Sequence, residues 1–137
     1  MRWSGLIKDD SVYLRHILEE IDFLEESSEG IGFRDLLKNA EKQRAWLRSL
    51  EVIGEATKNL SSEFREKHPE IEWRKVAGLR DKLIHHYFGV KWEIVWDVVA
   101  NELPTIRHEI EEMLMEFDSI HSTGPKNRPL VLQIDQG

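Results

Sequence analysis

With 137 residues, 40% of them hydrophobic and 33% charged, the chain has the size and make-up of one soluble, helix-rich domain. Its lack of cysteine excludes disulfides, thiolate metal sites and cysteine nucleophiles, and its net charge of −7 argues against generic binding to a nucleic-acid backbone, which asks for a basic face. No apolar run approaches the roughly 20 residues that span a bilayer, and no basic stretch followed by an apolar one opens the chain, so a cytoplasmic protein without a membrane partner is expected.

Met1 to Lys8 is a short lead-in. Asp9-Asp10-Ser11 supplies N-cap and first-turn chemistry, and Leu14, Ile17, Leu18, Ile21 and Leu24 recur at three- and four-residue spacing. This predicts an amphipathic helix over 10–27, ended by the polar and glycine-bearing run Ser27 to Gly32. A second helix is expected from Phe33 to Leu60, with Phe33, Leu36, Leu37, Ala40, Leu47, Leu50 and Ile53 as its apolar line. Glycine inside a helix costs about 1 kcal/mol relative to alanine. Gly54 is therefore expected to admit a second helix at close range, with Glu55 meeting a basic partner across that contact.

Ser61-Ser62-Glu63-Phe64 reads as a cap and a short helix, ended by His68-Pro69 because proline disfavours helix at the residue before it. Glu72 to Phe88 is again helical in pattern, with Val76, Leu79, Leu83, Ile84 and Tyr87 apolar, Gly78 a weak point and Gly89 a stop. A last helical stretch runs from Lys91 to about Ser119, broken or kinked at Pro104 with a joint around Asn101 to Leu103. Neither internal repeats nor strand alternation occurs before residue 121. The expected fold is all-α, an antiparallel bundle of four to five helices over 1–120, followed by a flexible tail over 121–137.

One stretch, Gly78 to Gly89, gathers a guanidinium, two imidazoles and a phenol: Arg80, His85, His86 and Tyr87. Between Glu72 and Lys91 five basic residues face two acidic ones, a local +3 on a chain that is otherwise −10. A local positive site on an acidic body suits a protein that engages phosphate at one place. Read as one helix, Arg80 and Tyr87 share a face while His85 sits about 140° from Arg80. A helix break near Gly78 or a two-fold dimer could bring them together, and the spacing favours a site at an interface between protomers over a private pocket in one chain.

Metal-free RNA cleavage needs a base for the ribose 2′-hydroxyl, an acid for the departing 5′-oxygen and a cation for the phosphate. Histidine can act as acid or base near neutral pH, and arginine grips phosphate with a fork that stays charged. Such a run is also an ordinary polar helix rim. Adjacent histidines on a helix do not share a metal ion, and neither a His-x-x-x-His pair nor a phosphate-cradling glycine loop is present, so neither a metal nor a cofactor is expected.

At these residues the sequence resembles the HEPN superfamily, and within it the HepT-like family, the toxin half of MNT–HEPN toxin–antitoxin pairs. The motif is Arg, four residues, His, one residue, Tyr, here Arg80, His85 and Tyr87. Ile53-Gly54-Glu55-Ala56 matches the family's "IGEA" helix, Trp73 with Val76 to Arg80 its approach to the motif, and Ile94-Val95-Trp96 and Glu102-Leu103-Pro104 its continuation. Glu72 stands where the family often has proline, and Asp81 where asparagine is frequent. The resemblance implies a homodimer with the motif in a cleft between protomers. It implies metal-independent endoribonuclease activity with Arg80 and His85 as catalytic pair, and Asp81, Lys82 and His86 as supporting or RNA-binding residues. It also implies a MntA-like nucleotidyltransferase antitoxin that adenylylates Tyr87 and silences the toxin. The alternative is a non-catalytic subunit that binds nucleotide or partner for such a nucleotidyltransferase.

Overall fold

The computed structural model describes residues 9–85 and 89–121. Three helices of nineteen residues carry the fold: α1 (Asp10–Ser28), α3 (Ala40–Lys58) and α8 (Leu103–His121). Short helices connect them: α2 (Phe33–Leu37), α4 (Ser62–Lys67), α5 (Trp73–Ala77), α6 (Leu79–Leu83) and α7 (Trp92–Asp97). Two two-residue strands, β1 (Ile84–His85) and β2 (Gly89–Val90), stand between α6 and α7. The fold is the expected all-α bundle, and no helix of the described residues is long and apolar enough to cross a membrane.

α1 is the central element. Its Leu14, Ile17, Ile21 and Leu24 are fully buried, the three- and four-residue rhythm of the sequence made into one apolar face. That face packs on α3 through Trp46, Leu50 and Ile53, and on α8 through Ile110, Met113 and Leu114. Polar contacts fix the directions. Trp46 Nε1 donates to Ser27 Oγ at 2.7 Å and Ser49 Oγ to Glu20 Oε1 at 2.6 Å, so α1 and α3 run antiparallel. Arg15 pairs with Asp118 at 3.1 Å and Arg107 Nε donates to Asp22 at 2.9 Å, so α8 is antiparallel to α1 as well. The Arg107 guanidinium sits among Asp22, Glu25 and Glu111, which hold it charged above its already high range, the hydrogen bond to Asp22 foremost.

The caps follow the chemistry of the cap residues. Asp9 accepts from the Ser11 amide and Ser61 from the Phe64 amide, starting α1 and α4 where the sequence places them. The expected helix from Phe33 to Leu60 is instead two, because Asn39 turns out extended and caps α3 by accepting from the Lys42 amide at 2.9 Å. The apolar line changes with it: Leu37 is 46% exposed, while Trp46, outside that line, is fully buried and stacks on Trp96 at 5.9 Å. Pro104 does not end the last helix. Val98–Glu102 forms a π-helical turn in which the Leu103 amide bonds to the Val98 carbonyl, and this widened turn absorbs the proline ring.

The largest correction concerns Glu72 to Phe88. The helix breaks at Gly78, as its weak point suggests, and α6 ends at Leu83. Ile84 is extended, and Ile84 and His85 pair antiparallel with Val90 and Gly89. Ile84, Tyr87, Phe88 and Val90 are branched or aromatic at close spacing, a composition that favours strand over helix. Gly89 adopts φ +79°, a value L side chains rarely take, so it serves the strand pair and not a helix stop. The tail expected over 121–137 lies, beyond His121, outside the described residues.

Gly54 behaves as expected: a Cβ there would meet the Ala77 carbonyl oxygen at 3.0 Å, so α3 and α5 touch backbone to side-chain-free backbone. Gly54→Ala gains helix propensity but must push α5 away, and Gly54→Val must do so further. Both variants should unfold at lower temperature than the parent, the valine by about 1–3 kcal/mol in thermal or urea denaturation.

Candidate functional site

Arg80 lies in the first turn of α6, which is anchored by its neighbours Leu79 and Leu83, both buried. Its side chain is half exposed at the edge of a cleft of about 200 Å³. One wall is the α3 face carrying Glu51, Gly54, Glu55 and Lys58, and the other is Ala77, Arg80 and Asp81. The close approach at Gly54 brings the walls together.

Glu51 Oε2 stands 3.4 Å from Arg80 Nε, and Glu51 Oε1 accepts from Arg48 Nη1 at 3.2 Å. One carboxylate therefore braces two guanidiniums. An arginine held at Nε keeps its outer Nη edge for a planar, two-point grip on an oxyanion. Asp81 Oδ1 is 4.0 Å from Arg80 Nη1, at the limit of an ion pair. Glu55 does not reach across to a basic residue as the sequence suggests; it pairs along its own helix with Lys58 Nζ at 3.5 Å. The cross-contact partner is Glu51, one turn earlier, because Arg80 lies three residues beyond the point where Ala77 meets Gly54. Its signal was present in the sequence: Glu51, Gly54 and Lys58 share a face by their spacing.

The local positive charge is narrower than the sequence count suggests. Lys75 Nζ pairs with Glu72 Oε1 at 2.7 Å; this pair draws the Glu72 carboxyl below its usual range and lifts the Lys75 amine above its own. Beside Arg80, the cations Arg48 and Lys58 are matched by Glu51, Glu55 and Asp81. Lys82 is exposed on α6 and does not line the cleft. Among the described residues no group of His, Asp and Glu is placed to hold a metal ion.

His85 belongs to β1 by its backbone pairing with Gly89. Its imidazole, and His86 and Tyr87 whole, lie outside the described residues. Because α6 ends at Leu83, the helical phase between Arg80, His85 and Tyr87 does not apply. The inferred 140° divergence, and with it the geometric reason for a two-fold cleft, is withdrawn. The shared face of Arg80 and Tyr87 goes with it.

The family model described as ribonuclease HepT-like matches residues 17–113. The chain belongs to the HepT-like ribonuclease family. The match runs from Ile17 within α1 to Met113 within α8, so it covers both walls of the Arg80 cleft. Among similar proteins, "Putative RNase TTE0752" of Caldanaerobacter subterraneus subsp. tengcongensis is 48% identical over 110 residues, 80% of this chain and 98% of the relative. "Probable ribonuclease HepT" of Thermococcus cleftensis is 44% identical over 101 residues, 74% of this chain and 92% of the relative. No solved structure gives a significant match.

The Glu51–Arg80 pair is exposed enough that orientation, and not stability, is its effect in this HepT-like cleft. A double-mutant cycle of Glu51→Gln and Arg80→Met, read by urea denaturation, should return a coupling of only about 0.2–1 kcal/mol.

Proposed function

We propose that this chain is a metal-independent endoribonuclease and the toxin half of a toxin–antitoxin pair. Membership of a ribonuclease family supports the enzyme class. The single observation that carries the reading to particular residues is Arg80: a half-exposed guanidinium, braced through Nε by Glu51, at the lip of a cleft, on the residue where the family motif begins.

In this reaction Arg80 grips the non-bridging oxygens of the scissile phosphate and stabilises the charge that gathers there in the transition state. His85 serves proton transfer. A neutral imidazole takes the proton of the ribose 2′-hydroxyl as the 2′-oxygen attacks phosphorus, and a protonated one delivers a proton to the 5′-oxygen as its bond to phosphorus breaks. The products are a 2′,3′-cyclic phosphate and a free 5′-hydroxyl. A homodimer supplies two His85 side chains, one for each transfer. Asp81, Lys82 and His86 support the motif or contact RNA.

Control falls to Tyr87. A MntA-like nucleotidyltransferase antitoxin transfers AMP to its phenol oxygen, with pyrophosphate leaving from ATP. The added phosphate is an anion placed two residues from His85, where it competes with RNA for Arg80.

Purified, AMP-free protein should cleave single-stranded RNA in EDTA, and Arg80→Ala and His85→Ala should each lower the rate about 10²–10⁴-fold. Intact RNA in EDTA, from protein that still binds its partner, would overturn the nuclease reading in favour of a non-catalytic binding subunit. Co-expression with a neighbouring nucleotidyltransferase should add AMP mass increments that map to Tyr87 and vanish in Tyr87→Phe; unmodified protein would sink the antitoxin mechanism.

A further inference from the structure

Arg80 is not the only cation that Glu51 holds. Its second oxygen takes Arg48, so two guanidiniums stand one carboxylate apart along α3. Arg48 also lies on the rim of a second cleft, of about 250 Å³, between α1 and α3. Tyr13 and His16 from α1 and Val52 from α3 line that cleft, and Glu55 lines both it and the Arg80 cleft, so the two are neighbours on α3. Tyr13 and His16 are packed edge to face, ring centres 6.3 Å apart, with His16 exposed and Tyr13 half-buried.

The α8 side of α5 is unfavourable to a polyanion. Beyond α5, the cleft towards α8 carries Glu70, Glu72, Glu102 and Glu109 against Lys75. A strand leaving Arg80 that way meets four carboxylates. Leaving towards α1 it passes Glu51 and Glu55, each already paired with a cation, and meets the Arg48 guanidinium and then the Tyr13, His16 and Val52 surface. Proteins hold single strands with that same pairing, cations along the backbone and ring faces for the bases.

We propose that Arg48 and the Tyr13–His16 cleft form a second RNA subsite beside Arg80. Arg48 grips the phosphate next to the scissile one, and the cleft receives the nucleobase attached to it. Glu51 sets the separation of the two guanidiniums, and it turns Arg48 from an ordinary exposed i,i+3 ion pair into the neighbour of Arg80. The subsite rests on the ribonuclease reading for the identity of its ligand, but its test does not depend on turnover.

The test is fluorescence anisotropy with the full chain and a short single-stranded 2′-O-methyl oligoribonucleotide, which lacks the attacking hydroxyl and is not cleaved. Arg48→Ala should weaken binding about tenfold and make its salt dependence shallower by about 0.7 in log–log slope, the share of one phosphate on a single strand. Tyr13→Ala should weaken binding about tenfold without changing that slope, because stacking carries no charge. Tyr13→Phe, which keeps the ring, should recover most of the loss. Arg34→Ala removes an equal charge from α2 and should bind as the parent does. Circular dichroism and thermal melts establish that each variant is folded; a Tyr13→Ala that fails to fold is replaced by His16→Ala, which loses the exposed ring. Parent-like binding by folded Arg48→Ala and by the folded ring variant overturns the subsite. Absence of oligonucleotide binding by the parent overturns it too. A parent that binds but leaves ordinary RNA intact overturns the ribonuclease reading alone, and the subsite then stands or falls on the same affinities.

Discussion

The contact on which the rest of the structure depends is the one between Gly54 and the Ala77 carbonyl, where a Cβ would stand at 3.0 Å. A helix interior normally avoids glycine because of its backbone entropy. Here the missing side chain lets the α5 backbone lie directly on α3. The turn from α5 into α6 takes its position from that contact. Gly78 redirects the chain, Leu79 and Leu83 bury on one side of α6, and Arg80 between them is left to face Glu51. Moving α5 outward by a few tenths of an ångström would move the guanidinium with it. A detail of backbone packing and the geometry of the cleft are thus one constraint.

The electrostatics of the cleft explain how an acidic chain could handle RNA. Arg80, Arg48 and Lys58 are offset by Glu51, Glu55 and Asp81, so the cleft projects little net field. Long-range steering, which raises association rates for strongly basic proteins, is weak in such a site. Grip must come at contact, from oriented donors. That is the circumstance in which a bracing carboxylate helps: it neutralises charge at a distance, but at close range it fixes which edge of the guanidinium meets the ligand. The pair stabilises the fold little, since both partners are partly exposed.

Much of this was legible in the sequence, and the failures have physical causes. Asp9, Ser61 and the periodic leucines and isoleucines located α1 and α4 because cap chemistry and apolar rhythm agreed there. Asn39 is as good a cap as either, yet it sits inside an apolar run that reads through it, and only packing decides that Leu37 faces out and Trp46 in. Gly54 announced a close contact, but not which residue would profit; that depends on the register of α5 against α3, which periodicity does not contain. The stretch after Leu83 was misread because leucine, isoleucine and tyrosine at helical spacing fit a helix as well as a strand, and a two-residue ladder is too short to show alternation. Arg80 was found by its type and motif; spacing puts Glu51 on the Gly54 face, but only the distances pair it with Arg80 and Arg48.

The end of α6 at Leu83 changes what the motif spacing means. In a continuous helix, the five-residue step from Arg80 to His85 would fix an angle, and the angle would point the two side chains apart. In the observed backbone the chain advances about 1.5 Å per residue to Leu83 and about 3.3 Å per residue thereafter. The spacing then fixes a reach: His85 is carried away from the helix axis on a strand that β2 holds in register, with the Lys91 amide bonded to the Leu83 carbonyl at 3.1 Å to close its base. The case for a second protomer drawn from helical phase therefore does not hold on this backbone. The reason for a dimer that survives is chemical. In the reaction proposed above, one transfer uses a neutral imidazole and the other a protonated one, and two protomers would supply both.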